Sequence, residues 1–144
     1  MSIEIRHAGI LLAIILRKGD AGPGIHFVTQ NECSLQLATM SHPAGKAIQP
    51  HVHNAVERKI LFTNEVLVIQ KGILRVDFYT LQREYLHSRL LFAGDTLLLT
   101  EHAGHGFEVI EELEMLEIKQ GPYAGEADKT RFPTAPDFQL HIIE

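Results

Sequence analysis

Apolar residues either alternate with polar ones or form short runs along most of the chain, and turn residues separate these runs. Alternation with a period of two is typical of β-strands with one buried face. No long stretch shows the 3.6-residue period of an amphipathic helix. Turn sequences such as Gly22-Pro23-Gly24 and Ala93-Gly94-Asp95 divide the runs. The pattern therefore predicts an all-β barrel or sandwich.

The predicted strands are short. They cover residues 8–16, 25–29, 34–40, 60–63, 65–70, 73–79, 85–92, 96–100, 106–110 and 115–119. Because Lys71-Gly72 separates two β-rich runs, we expect a hairpin turn there. Five acids between Glu108 and Glu117 have no basic residue among them and indicate a solvated edge or hairpin rather than an ion site.

The run from Ala8 to Leu16 contains nine apolar residues in succession. It is too short to cross a bilayer as a helix, and its flanking residues do not suit a signal peptide. We interpret it as a strand buried on both faces, in the core or at the interface of a homodimer. This interpretation predicts a cytoplasmic protein with no membrane association.

Composition narrows the function classes. The chain has 144 residues, which predicts a single domain over 1–144. Its net charge is −5 and it has no long basic stretch, so we expect no nucleic-acid partner. The one cysteine, Cys33, cannot form an internal disulfide. Nine histidines are unusual in a chain of this length and indicate a site.

Two of these histidines occur as His51-Val52-His53. On a strand, residues two apart point to the same face, so the two imidazoles would project side by side. Imidazole pairs of this kind are common metal ligands. The pattern alone is weak evidence, because such pairs also occur on protein surfaces.

The residues around this pair follow a longer pattern. Gly45 precedes His51 by six positions, Glu65 precedes Gly72 by seven, and His105 follows Gly94-Asp95 within the string GDTLLLTEHAGHGF. These spacings resemble the two motifs of the cupin superfamily, at residues 45–72 and 94–109. The resemblance implies a single-domain jelly-roll β-barrel of the small bacterial type, often a homodimer.

The resemblance also implies a metal site. It assigns His51, His53, Glu65 and His105 as ligands to one divalent transition metal per subunit. Imidazole and carboxylate ligands suit Fe, Mn, Ni, Co, Cu or Zn and discriminate poorly between them. Such a metal would bind a substrate or water at its open positions.

The chain departs from the family pattern in two places. Eleven residues separate His53 from Glu65, where the family has three or four, so Glu57 is an alternative acid. Glu65 fits better, because a clear strand and a Gly turn follow it. In the second motif, Thr100, His102 and Val109 replace the usual Pro, Gly and Asn. His102 is therefore a candidate proton carrier at the mouth of the barrel.

Strand parity suggests further pocket residues. If Glu65 points inward, so do Leu67 and Ile69, and if His105 points inward, so does Phe107. Polar candidates on other segments complete the predicted lining: Gln36, Glu57 and Lys119.

These features predict a metal-binding protein that takes a small-molecule ligand, a sugar or an organic acid. If it is an enzyme, oxygenase, isomerase and lyase chemistry are all open. The alternatives are a non-catalytic binding module and a metal-independent isomerase or epimerase of the nucleotide-sugar type. The predicted four-ligand set argues against the last, because metal-free cupins often lose these residues.

Overall fold

The computed structural model describes all residues from Met1 to Glu144. Nine strands account for its regular structure: β1 (Ile3–His7), β2 (Ile10–Leu16), β3 (Gly24–Phe27), β4 (Ala38–Ser41), β5 (Glu65–Tyr79), β6 (Tyr85–Phe92), β7 (Thr96–Leu99), β8 (Gly104–Lys119) and β9 (Ile142–Ile143). Two short 3₁₀ turns lie at Gly125–Asp128 and Asp137–Gln139. None of the helical segments has the length and apolar character needed to cross a bilayer.

Seven of the strands form one sheet in the order β1-β2-β7-β5-β6-β9, and β8 pairs along the other edge of β5. All pairs in this sheet are antiparallel except that of β6 with β9. The sheet curls into a half-barrel, while β3 and β4 form a separate two-stranded sheet. The all-β prediction is confirmed, and the architecture is compatible with a jelly roll.

The main core lies on the inner face of the curled sheet. Twelve buried apolar residues form it, among them Leu67, Leu74, Phe78, Leu91 and Leu97. They come from distant parts of the chain, because curling the sheet brings the inner faces of β5, β6 and β7 together. Each fully buried Leu or Phe contributes about 1.5–3 kcal/mol, so this cluster is the chief source of stability.

The apolar strand β2 is buried within its own subunit. Its residues from Leu12 to Leu16 are all buried, between β1 and β7. Ile15 belongs to the main core, and Ile14 packs on the opposite face with Val66 and Leu98. The prediction of burial on both faces is confirmed, but its use as a dimer interface is corrected, because no second subunit is needed to cover it.

The start of this segment also differs from the prediction. Ala8 and Gly9 form the turn between β1 and β2, with φ angles of 50° and 79°. The homodimer itself stays a prediction, and sedimentation velocity at micromolar concentration would test it.

β5 is one continuous strand of 15 residues, so the predicted hairpin at Lys71-Gly72 is wrong. Instead, Gly72 lies in a bulged stretch where the pairing with β8 changes register. Residues before it pair with β7, and residues after it pair with β6. Gly72 therefore lies at a bulge that bends β5 at the point where its neighbour changes from β7 to β6. Bulges commonly bend strands in curled sheets.

β8 is also continuous, where the sequence predicted two strands. It pairs with β5 on one side and leaves its other edge free, and its acids are exposed. The predicted solvated edge is confirmed. By contrast, the strand predicted at 60–63 is absent, and residues 42–64 contain no helix or strand. We call residues 42–64 the mouth segment.

The C-terminal residues cover the outer face of β5 and β6. The backbone N–H of Ala135 donates to the Tyr79 hydroxyl at 2.9 Å, and that of Ser88 donates to the His141 carbonyl at 2.8 Å. Beneath this cover lies a buried ion pair, Arg75 with Asp77. The polar groups buried there are thus paired, as buried polar groups must be to avoid a large desolvation cost.

His87 on β6 provides a test of the packing of the main core, to which Phe78 belongs. Its ring contacts Phe78 with centroids 5.5 Å apart, and burial lowers its pKa, with the charges of Arg89 and His141 lowering it further. The unfolded chain therefore binds the proton more readily than the folded one. We expect stability to be unaffected by this group above its ordinary pKa of 6.5 and to fall as the pH drops below it. Urea titrations between about pH 5 and pH 8 would measure this slope.

The matched control is His87→Phe, which keeps an aromatic ring against Phe78 and has no proton to bind. Its stability should change less over the same pH window. An unchanged slope in the variant would contradict the assignment to His87.

Candidate functional site

A cavity of about 730 Å³ opens where the two ends of the β5–β8 ribbon meet. A straight strand of 15 residues would span about 50 Å, since each residue rises by about 3.3 Å. Yet Glu65, the first residue of β5, touches His105, which pairs with Phe78 near its other end. The bend around Gly72 therefore closes the ribbon on itself and forms the cavity.

Glu65 and His105 form the polar centre of the cavity wall. The distance from His105 Nε2 to Glu65 Oε1 is 2.6 Å. Nε2 makes this contact. The other ring nitrogen of His105, Nδ1, is buried and has no protein partner. The pair joins a carboxylate to an imidazole, which are the side-chain types that bind transition metals.

The charge state of Glu65 follows from its surroundings. Burial raises its pKa, but hydrogen bonding to His105 and Glu117, together with the charges of His105 and Lys119, outweighs burial and lowers it to about 2. The neighbouring Glu117 has a raised pKa because it interacts with Glu65. Glu65 is thus ionised at neutral pH and acts as an acceptor rather than a proton donor.

His51 and His53 lie on the exposed mouth segment, so the prediction that they sit on a strand is wrong. Their ring centroids are 5.3 Å apart, and His51 Nδ1 lies 2.9 Å from the Gln49 carbonyl. The structure brings Glu65 to His105 and His51 to His53, but it does not unite the two pairs. No three His, Cys, Asp or Glu side chains form a group that could hold a metal ion.

The two other mouth candidates are placed apart from this pair. Glu57 is exposed on the mouth segment, so Glu65 rather than Glu57 is the acid beside His105. His102 is also exposed, and its Nε2 lies 3.7 Å from Glu101 Oε1. Glu101 lines the cavity, whereas His102 does not.

The predicted lining residues divide into two groups. Phe107 and Lys119 lie on the cavity wall, and the Phe107 ring is 5.3 Å from that of His105. Leu67 and Ile69 share the face of Glu65 but lie deeper, in the main core, and are not part of the cavity wall. Gln36 lies elsewhere, where it accepts from Thr29 Oγ1 at 2.7 Å and donates to nearby carbonyls.

Sequence reasoning did not identify the rest of the wall. Several of these residues come from the β5–β6 loop and from the irregular segment after β8: Arg83, Asp128, Lys129, Arg131, Phe132 and Thr134. A cluster of bases at 129–131 is visible in an acidic chain, but no local pattern shows that this segment packs against the barrel mouth. Comparisons with protein-family models, curated proteins and solved structures find no match.

Proposed function

We propose that this chain is a cupin-type protein that binds a small metabolite in the cavity beside Glu65 and His105. The observation that carries the proposal is the 2.6 Å carboxylate–imidazole pair on the wall of a cavity of about 730 Å³. Small-molecule sites are concave, mostly apolar and supplied with a few convergent polar groups, and their volumes are about 300–1,000 Å³.

We further propose that the site holds one divalent transition metal, with Glu65 and His105 as two ligands and His51 and His53 as the others. The two pairs are separate in this structure, so the complete ligand set requires the mouth segment to fold over the cavity. The position of the mouth segment supports this, because Phe62 and Thr63, close to its end, already line the cavity. When bound, a metal of this kind supplies Lewis-acid polarisation of a ligand oxygen.

The mouth segment has an apolar surface that such folding would cover. Several of its large apolar side chains are exposed: Ile48, Val52, Val56, Ile60, Leu61 and Phe62. β8 also presents an exposed ring on the cavity wall, that of Phe107. Burial of such surfaces against each other is favourable by about 25 cal/mol per Å².

Metal analysis of protein purified without an affinity tag tests the metal site. We expect about one metal per chain by elemental analysis, and a loss of affinity of at least tenfold in His51→Ala, His53→Ala and His105→Ala. His7→Ala is the control, since His7 is exposed on β1. Unchanged affinity in both mouth-segment variants, with loss in His105→Ala, would show that the mouth segment does not complete the site.

The role of the metal can be separated from folding. Because the main core is built from apolar residues of the sheet, we expect the chelator-treated protein to retain its fold. Thermal unfolding with and without chelator measures this. Collapse of the fold without metal would indicate a structural rather than a ligand-binding metal.

The proposed site is compatible with two roles, catalysis and binding without catalysis. In either role, Glu65 would hold a metal or accept a hydrogen bond, because it is ionised at neutral pH. A screen of small hydroxy and keto acids with the metal-loaded protein distinguishes the two. Turnover that disappears in Glu65→Gln would identify an enzyme, and binding without turnover would identify a binding module.

A further inference from the structure

We infer that the cavity selects a small organic anion, a carboxylate on a flat apolar body, and that Arg83 binds its charged end. The inference rests on the proposed function in one respect, namely that the ligand occupies this cavity. It does not depend on the metal, so it can be tested on metal-free protein.

The cations of the cavity wall outnumber its acids. Four basic side chains line it: Arg83, Lys119, Lys129 and Arg131. Of these, only Arg131 has an acidic partner, Glu126. The other three form no salt bridge, and Lys119 instead lies 5.9 Å from the centre of the Tyr123 ring. The chain as a whole carries a net charge of −5, so this concentration of unpaired cations is local.

The three acids of the wall are already engaged. Glu65 pairs with His105, Asp128 accepts a hydrogen bond from Thr63, and Glu101 lies 3.7 Å from His102. None of these contacts involves Arg83, so its guanidinium is left without a carboxylate partner, whereas the charge of Lys129 acts on Glu117 and Glu126. A guanidinium without a carboxylate partner can bind the carboxylate of a ligand.

Arg83 occupies a backbone conformation that disfavours a side chain. Its φ is 72°, in the left-handed region that glycine adopts at little cost. The loop holds it there, because the backbone N–H of Arg83 donates to the Thr80 carbonyl at 2.9 Å. Its guanidinium lies 5.9 Å from the centre of the Phe132 ring. Non-glycine residues held in this region cluster at ligand sites, where the side chain has a use.

The remaining wall suits an organic rather than an inorganic anion. Four aromatic rings line the cavity: Phe62, Tyr79, Phe107 and Phe132. Phe132 packs edge-to-face against Tyr79, with centroids 5.0 Å apart, which holds its ring in place. A flat apolar body can pack on these rings while its carboxylate meets the guanidinium, which binds carboxylates through two parallel hydrogen bonds.

The test is an NMR-detected titration of chelator-treated protein with benzoate and with its neutral analogue, benzamide. We expect benzoate to shift the amide signals of cavity residues, such as His105 and Phe107, and to bind at least tenfold more tightly than benzamide. Phenyl phosphate and inorganic phosphate are further arms, which distinguish a carboxylate site from a phosphate site. Glucose represents a neutral sugar.

Arg83→Gly is the decisive variant. We expect it to weaken benzoate binding about tenfold, while its melting temperature stays the same or rises, because glycine tolerates the left-handed backbone. Lys71→Gln removes the same charge from a lysine that pairs with Glu112 outside the cavity, and it should leave binding unchanged.

Several results would overturn the inference. Equal affinity for benzoate and benzamide, tighter binding of glucose, or unchanged affinity in Arg83→Gly would each do so. Preference for phosphate over benzoate would overturn the choice of carboxylate, and no binding of any anion at millimolar concentration would reject the site. Failure of metal binding would not bear on these titrations, so the two proposals fail independently.

Discussion

Gly72→Ala should destabilise the protein by about 3 kcal/mol or more, or prevent it from folding. The φ of Gly72 is 86°, and a Cβ there would lie 2.0 Å from the Glu112 carbonyl oxygen and 2.8 Å from that of Glu111. Both contacts are with the backbone of β8, which pairs with β5 on both sides of the bend and cannot move away cheaply. Urea denaturation of soluble protein, or the soluble yield if none folds, measures the effect.

Gly9→Ala is the matched control. Gly9 has a similar φ of 79° but has no atom within 4 Å of the Cβ position. Gly9→Ala should lower the free energy of unfolding only by the cost of placing a Cβ in the left-handed region, about 1–2 kcal/mol. The difference between the two variants then isolates the close approach of β8. Equal costs would mean that the ribbon does not pack as tightly at Gly72 as the structure shows.

The bend at Gly72 also positions the residues of the candidate site, because it brings the side chain of Glu65 into contact with that of His105. Any Gly72→Ala protein that folds should therefore show a Glu65 pKa closer to its ordinary value, since the His105 contact lowers it. Carbon-13 NMR of the Glu65 carboxyl would detect this change.

Asp77→Ala is the second substitution with a large expected effect, about 3–5 kcal/mol. Asp77 is 1% exposed and accepts two hydrogen bonds from Arg75, at 2.8 and 3.1 Å, and one from Ser88 Oγ at 2.5 Å. Its removal leaves Arg75 buried with Glu108 as its remaining carboxylate partner. The free energy of unfolding from urea titration is the measurement.

A double substitution tests the cause. If the cost of Asp77→Ala comes from the stranded Arg75 charge, adding Arg75→Leu should recover part of the lost stability. Glu112→Ala is the control for an ion pair on the surface, where Lys71 and Glu112 are both exposed, and it should change stability by less than about 1 kcal/mol. A double variant less stable than Asp77→Ala would show that Arg75 contributes mainly through packing.

Part of the site was predicted from the resemblance of the motif spacing to that of a known family. The motif spacing singled out Glu65 and His105, and the structure places their side chains in contact. Glu57 competed with Glu65 on distance from His53 alone, and the structure begins a strand at Glu65 while Glu57 is exposed on the mouth segment. The positions of His51 and His53 could not be predicted from strand spacing, because both histidines lie on the mouth segment, outside the sheet.

The sequence by itself determined that the chain is built from strands, and it located most of those in the main sheet. Alternation and apolar runs report the environment of each side chain, and this environment is local enough to identify β2 as buried on both faces. The tertiary structure alone decided that β5 continues through Gly72, because a hairpin and a sharply bent strand need the same residue. In the bent strand, the residues on both sides of Gly72 pair with β8, whereas in a hairpin they would pair with each other. The tertiary structure also decided the cavity, because three of its four cations, Arg83, Lys129 and Arg131, come from segments without a strand pattern, and only packing brings them to the same wall as Glu65 and His105.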